Sequence, residues 1–167
     1  EMTMKQRWKS WIGVVAVLAA AGCAQFNAPS TPSGMAANDV RSRLGVPTDM
    51  RTVGGVKVWD YVNGPQGFTT WRVTFDNADR VAKVDQILTA PRVHSLKPGQ
   101  DSRDDVASLL GRPAEVTRYG AGYEVWTYRF IDGQDRMLGD VFIDAGTGKV
   151  KSTAIYRDPA YSSSHTT

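Results

Sequence analysis

Ser102-Arg-Asp-Asp-Val106-Ala-Ser-Leu109-Leu110-Gly111-Arg112-Pro113, running on to Trp126-Thr127-Tyr128, is a stretch whose outline the chain contains twice. Upstream the same spine reads Val40, Leu44-Gly45-Val46-Pro47, Trp59 and Tyr61. The Val and the Leu-Gly-x-Pro recur at an offset of 66 residues and the Trp-x-Tyr pair at 67. Val73-x-Phe75-Asp76 answers Val141-x-Ile143-Asp144 at 68, and Arg80-Val81 answers Lys149-Val150 at 69. An offset that drifts only through turns, while element spacing holds, marks a duplicated supersecondary unit.

Local physics reads each part of the spine. Val106, Leu109 and Leu110, at i, i+3 and i+4, form a short apolar helix face. Ser102 with Asp105 three residues on is a capping-box start, with the carboxylate near the positive end of the helix. Gly111 after Leu110 fits the helix-ending position, and Pro113 blocks continuation. Leu44, Gly45 and Pro47 have the same meaning upstream. A helix this short is marginal alone, so the strands downstream must pack it.

The first copy reads as a helix to Leu44, strands at 50–53 and 56–62 joined by Gly54-Gly55, and strands at 68–75 and 81–88. The second reads as a helix over 102–110 and strands at 116–119, 123–131, 137–144 and 149–156. The expected fold class is α+β: two tandem helix-plus-antiparallel-meander repeats, with helices packed on one face of the sheets. The expected division is repeat 1 over 34–88, a connector over 89–98, repeat 2 over 99–156 and a disordered polar tail over 157–167. Strand alternation places Trp59, Tyr61, Val73 and Phe75 with Trp126, Tyr128, Phe130, Val141 and Ile143 on the core side. The opposite parity carries Val58, Asp60, Arg72 and Thr74, then Val125, Thr127, Arg129 and Phe142. Antiparallel sheets tolerate one wet face. Those eight residues are therefore the expected partner surface, with arginine and apolar neighbours as interface anchors.

The N-terminal segment reads as an export signal. Position 1 is Glu, so Met2 or Met4 is the expected start. Lys5, Arg7 and Lys9 precede an apolar run over 12–21, too short to span a bilayer, which needs about 20 residues. Ala20-Ala21-Gly22-Cys23 resembles the lipobox of bacterial lipoproteins. That resemblance implies cleavage of residues 1–22, diacylglycerol and a fatty acyl chain such as palmitate on Cys23, and anchoring in membrane lipid. Residues 23–33, rich in Pro, Ser and Asn, then form a tether. Ala24, where an Asp would retain a lipoprotein in the inner membrane, implies sorting to the outer membrane, with the domain facing the periplasm. Cys23 is the only cysteine. The mature chain therefore folds without an intrachain disulfide.

Charge excludes one partner class. The whole chain carries +3, from 20 basic and 17 acidic residues. Three of those basic residues and one acidic residue lie in 1–22, leaving 17 against 16, or +1. The basic balance belongs to the export signal, so no nucleic-acid partner is expected.

Gly34-Met35-Ala36-x3-Val40-x3-Leu44-Gly45-x-Pro47, with Trp59-x-Tyr61 and Val73-x-Phe75, resembles the BamE (SmpA/OmlA) lipoproteins. The second copy fits at Val106, Leu110-Gly111-x-Pro113, Trp126-x-Tyr128 and Val141-x-Ile143. The resemblance implies an outer-membrane lipoprotein with a structural or assembly role in the envelope, and the barrel-assembly machinery as partner. The tandem arrangement is also similar to the β-lactamase inhibitor proteins, which implies the alternative: a periplasmic module that inhibits or adapts a soluble enzyme. Ala36 stands where the BamE family has a hydroxyl cap, so the first helix is expected to be uncapped.

No catalytic constellation is legible. His94 falls in the connector and His165 in the tail, neither at metal-ligand spacing from a Cys or carboxylate. Asp39, Asp104 and Asp105 read as helix-start carboxylates, and Gly120-Ala121-Gly122 lies between strands, as a hairpin turn does. The expectation is a non-enzymatic protein with no cofactor and no metal.

Overall fold

The computed structural model describes residues 30–63, 67–120 and 122–162. The signal segment, Cys23 and the tether up to residue 29 lie outside the described residues, as does the tail from 163.

Among the described residues the order is α1 (Ala37–Leu44), β1 (Asp49–Val53), β2 (Val56–Asn63), β3 (Thr69–Phe75), β4 (Val81–Gln86), α2 (Ala90–His94), α3 (Arg103–Leu110), β5 (Glu115–Tyr119), β6 (Tyr123–Asp132), β7 (Asp135–Asp144), β8 (Val150–Arg157) and α4 (Pro159–Ser162). The strands form two four-stranded antiparallel sheets, β1-β2-β3-β4 and β5-β6-β7-β8.

This corrects the expected α+β class. The molecule is mainly antiparallel sheet, with strands up to 10 residues long and helices of 4 to 8 residues. Eight residues at 1.5 Å each make a cylinder of only about 12 Å, too short to act as a layer over a sheet. Each longer helix instead contributes two buried side chains: Ala37 and Val40 from α1, Val106 and Leu110 from α3. The rest of each core is mostly strand. Trp59, Tyr61, Val73, Phe75 and Val81 fill one; Tyr128, Phe130, Val141, Ile143 and Val150 fill the other. The residues assigned to the core side by alternation do lie there.

The duplication extends to fine geometry. Trp59 pairs with Val73 and Trp126 with Val141. A register shift falls between Thr74 and Phe75, and its counterpart between Phe142 and Ile143. Such bulges bend a strand at a set place. Tyr61 donates its hydroxyl to the Gly45 carbonyl at 3.4 Å, and Tyr128 donates to the Gly111 carbonyl at 3.2 Å. That contact explains why the Leu-Gly-x-Pro and Trp-x-Tyr motifs travel together: the helix-end carbonyl is satisfied by the tyrosine of the second strand of its sheet.

Both glycines differ from the simple left-handed cap. Gly45 has φ 82° and ψ −161°, and Gly111 φ 79° and ψ −158°. Their N–H groups still close on Arg41 and Ala107 carbonyls at 2.9 Å. The extended ψ throws the chain away from the helix axis towards the first strand, in a region that is essentially glycine-only.

Three boundaries shift. Ser30 to Ser33 are docked, because Arg43 donates to the Ser30 carbonyl at 2.9 Å and Thr31 is buried. The connector holds α2, whose Val93 is fully buried in the C-terminal core beside Leu96 and Leu88. Pro91 near its start is pre-set for a helix and so nucleates one in a segment too short to show periodicity. The expected disordered tail is ordered up to Ser162: Arg157 ends β8, and Asp158 starts the α4 turn by accepting the Ala160 N–H at 2.9 Å.

Candidate binding surface

The eight residues expected on one open face separate into two groups. Val58, Asp60 and Arg72 are 3%, 2% and 6% exposed, and Thr74 is half-buried. This face of the first sheet is therefore not open, and the expectation is corrected there. Arg72 grips Asp60 with two hydrogen bonds of 2.7 Å, Nε to Oδ1 and the second guanidinium nitrogen to Oδ2. Its remaining nitrogen donates to the Ser108 carbonyl on α3. The end of α3 thus covers the first sheet. A Cβ on Gly111 would stand 3.0 Å from Asp60 Oδ2 and 3.3 Å from Ile87 Cδ1, so the approach requires glycine. Alternation places these side chains together and says nothing about what covers them.

Val125 is 7% exposed, and Thr127, Arg129 and Phe142 are half-buried. They line a concavity of about 580 Å³ on the second sheet. Its rim carries Tyr119, stacked on Tyr123 with centroids 5.0 Å apart, and Tyr123 meets Phe142 at 6.0 Å. The opposite wall is Tyr161 of α4, edge-on to Phe68 at 5.6 Å, with the Arg136 guanidinium 4.2 Å from the Tyr161 ring. Tyr119 and Tyr156 are 52% and 39% exposed.

The floor is polar and largely satisfied. Thr127 donates to Asp140 Oδ1 at 2.6 Å and Tyr156 to Asp140 Oδ2 at 2.7 Å. Burial, then the hydrogen bond and negative charge of Asp140 and the charge of Asp158, push the Tyr156 phenol up to about 12. It therefore stays a neutral donor throughout the physiological range. Arg129 lies at the same floor, half-buried, with its Nε enclosed and without a hydrogen-bond partner among the described residues.

Tyr119 and Tyr123 were not among the expected surface residues, although Tyr123 continues the alternation of Val125 and Thr127 and Tyr119 pairs with it across the hairpin. Nor were Phe68 and Tyr161, because a loop residue and a helical turn reach this surface only through tertiary folding. His94 is exposed at the end of α2. Among the described residues, no three or more His, Cys, Asp or Glu side chains gather as metal ligands do. No described helix is long and apolar enough to cross a membrane. The residues of the helix-end motif, Leu44, Gly45, Pro47, Leu110, Gly111 and Pro113, serve the two helix-to-strand corners. Comparison with known protein families, curated proteins and solved structures gives no match.

Proposed function

We propose that this chain is a bacterial envelope lipoprotein, acylated on Cys23 and anchored in the outer membrane with its folded part in the periplasm. In this reading it acts as a non-enzymatic structural or assembly factor, of the BamE kind, by binding another envelope protein. The observation that carries the binding role is the concave face of the second sheet. Tyrosines, two phenylalanines and Arg129 converge there around the Thr127–Asp140–Tyr156 hydrogen bonds. That composition, four tyrosines and two phenylalanines with one arginine, is rich in the aromatic residues that protein interfaces select. The lipid anchor rests on the Ala20-Ala21-Gly22-Cys23 motif, and the assembly role on the duplicated spine.

A photoreactive amino acid at Thr117, within the concavity, tests the reading in intact cells. The expected result is a crosslink to a subunit of the barrel-assembly machinery, absent when the same group replaces Lys83 on the first sheet. A soluble periplasmic enzyme in that crosslink would establish the inhibitor or adaptor role instead. No crosslink from Thr117 would remove this face as the binding surface. Separately, Cys23→Ser should release the chain from the outer-membrane fraction, since a triacylated Cys far exceeds the single chain that gives marginal binding. Unchanged fractionation would overturn the anchor.

A further inference from the structure

Among the described residues, four of the arginines on the strands, and Arg103 on α3, are answered by a carboxylate. Arg72 pairs with Asp60, Arg51 with Asp49, Arg103 and Arg118 with Glu124, and Arg157 with Asp135. Arg129 differs: it makes no ion pair or hydrogen bond among the described residues, and its Nε is enclosed. Arg51 Nε and Trp71 Nε1 are also enclosed and unpartnered, but Asp49 neutralises Arg51 and the indole carries no charge. A half-buried cation with an unmet donor costs stability unless something completes it.

Arg129 borders a second concavity besides the aromatic one. A cleft of about 310 Å³ lies between the two halves of the molecule, bounded by Thr48 and Thr70 from one half and Arg112, Pro113 and Tyr128 from the other. Among the described residues, two arginines and two threonine hydroxyls line it, and no carboxylate does. Arg112 is exposed and, like Arg129, has no ion pair among the described residues. Thr48 Oγ1 accepts the Val62 N–H at 3.1 Å, which leaves its own hydrogen free to donate. The Tyr128 hydroxyl is already spent on Gly111.

We infer that this cleft is a binding site for an oxyanion, a phosphate or carboxylate group carried by a small ligand. Arg129 and Arg112 each line the cleft with a planar guanidinium suited to such a group, and Thr48 and Thr70 add hydroxyl donors from the facing half. The volume falls at the lower end of small-molecule sites. Occupancy would bridge the halves and give Arg129 a counter-charge that no described residue supplies. The inference does not depend on the second sheet binding a protein.

The test is an NMR titration of the 15N-labelled full-length chain, following the Arg129 Nε–H resonance as inorganic phosphate or acetate is added. Saturable displacement by either anion is expected. Arg129→Gln and Arg112→Gln should each weaken binding about ten-fold or more, as loss of a charged donor does. Arg118→Gln, outside the cleft, should bind as the parent does. Saturation by phosphate alone assigns a phosphorylated ligand, and by acetate alone a carboxylate; both support the site. A resonance that fails to move, or drifts linearly with ionic strength for both anions, overturns it. So does parental affinity in Arg112→Gln, a change at an exposed position.

Discussion

The same cross-strand position is filled in opposite ways in the two sheets. In the first sheet Asp60 faces Arg72; in the second its counterpart Thr127 faces Asp140. The first pair is a buried bidentate ion pair capped by the Ser108 carbonyl of α3. The second is a neutral hydroxyl on a carboxylate, shared with Tyr156 at the floor of an open concavity. The difference lies in the chain segment that comes after each sheet. Beyond the first sheet, α3 and its glycine corner fold back over it, whereas among the described residues beyond the second the short α4 walls one side. A duplicated unit need not have duplicated surroundings, and the cover decides whether a polar pair is structural or available.

The largest test of that contrast removes one arginine from each sheet. Arg72→Met leaves Asp60 charged and enclosed, and should lower unfolding free energy by about 3–5 kcal/mol. Arg129→Met removes a cation that no carboxylate answers, and should stay within about 0.5 kcal/mol of the parent. Guanidinium unfolding of both variants checks the ranking, and equal losses would break the comparison.

A second test uses the two helix corners. Gly45→Ala forces a Cβ into glycine-only backbone but meets open space, and should cost about 1–2 kcal/mol. Gly111→Ala carries the same strain and also presses on Asp60 and Ile87, so it should cost about 1 kcal/mol more. The sequence alone makes these two sites equivalent. A smaller or equal loss at Gly111 would mean that the α3 corner does not press on the first sheet.

Helix starts differ by about one cap. Ser102 accepts the Asp105 N–H at 3.2 Å and donates its own N–H to the Asp105 carboxylate at 2.8 Å; Ala36 offers no such bond. Ser102→Ala should cost about 1 kcal/mol, and Ala36→Ser should gain up to the same amount, each read from the shift in unfolding midpoint. The hydrogen bonds from Ser102 hold the Asp105 carboxyl below its usual 3.8. A lowered folded-state pKa gives stability that is present above the unfolded value and lost as pH falls through the folded one. The penalty of Ser102→Ala should accordingly shrink as the pH is taken below about 4.

The smallest effect is spectroscopic. With its phenol raised to about 12, Tyr156 should ionise well after an ordinary tyrosine in an ultraviolet titration. The associated stability is fully present below the unfolded value near 10 and lost as pH rises from there through about 12. Asp140→Asn should bring that ionisation to lower pH, and no change would remove Asp140 from the floor of the concavity.

Much of the fold was legible, and the reasons are local. The Ser102 cap, the Gly111 and Gly45 corners and the Gly54-Gly55 hairpin each arise from a few neighbouring residues. The helix α2 was not legible, since five residues around Pro91 give no period to read, and its Val93 is explained only by the core it enters. The class was misjudged because an apolar i, i+3, i+4 stripe reports that a helix exists, not that it is long enough to form a layer. The candidate surface was half legible: Thr127, Arg129 and Phe142 line a concavity on the second sheet, while the Val58 side of β2 is closed.

By itself, the sequence determined the duplication, the order of the main elements, the parity of the central strands and the recurrence of each helix-end glycine with a strand tyrosine. These depend on interactions within one unit, where neighbours are close along the chain and period and spacing carry the information. Only the tertiary structure decided which sheet face is covered, that Gly111 touches Asp60, and that Thr48 and Arg112 face the same cleft as Arg129. Those contacts join residues from separate units, set by how two finished surfaces meet, and no local period in the chain records that meeting.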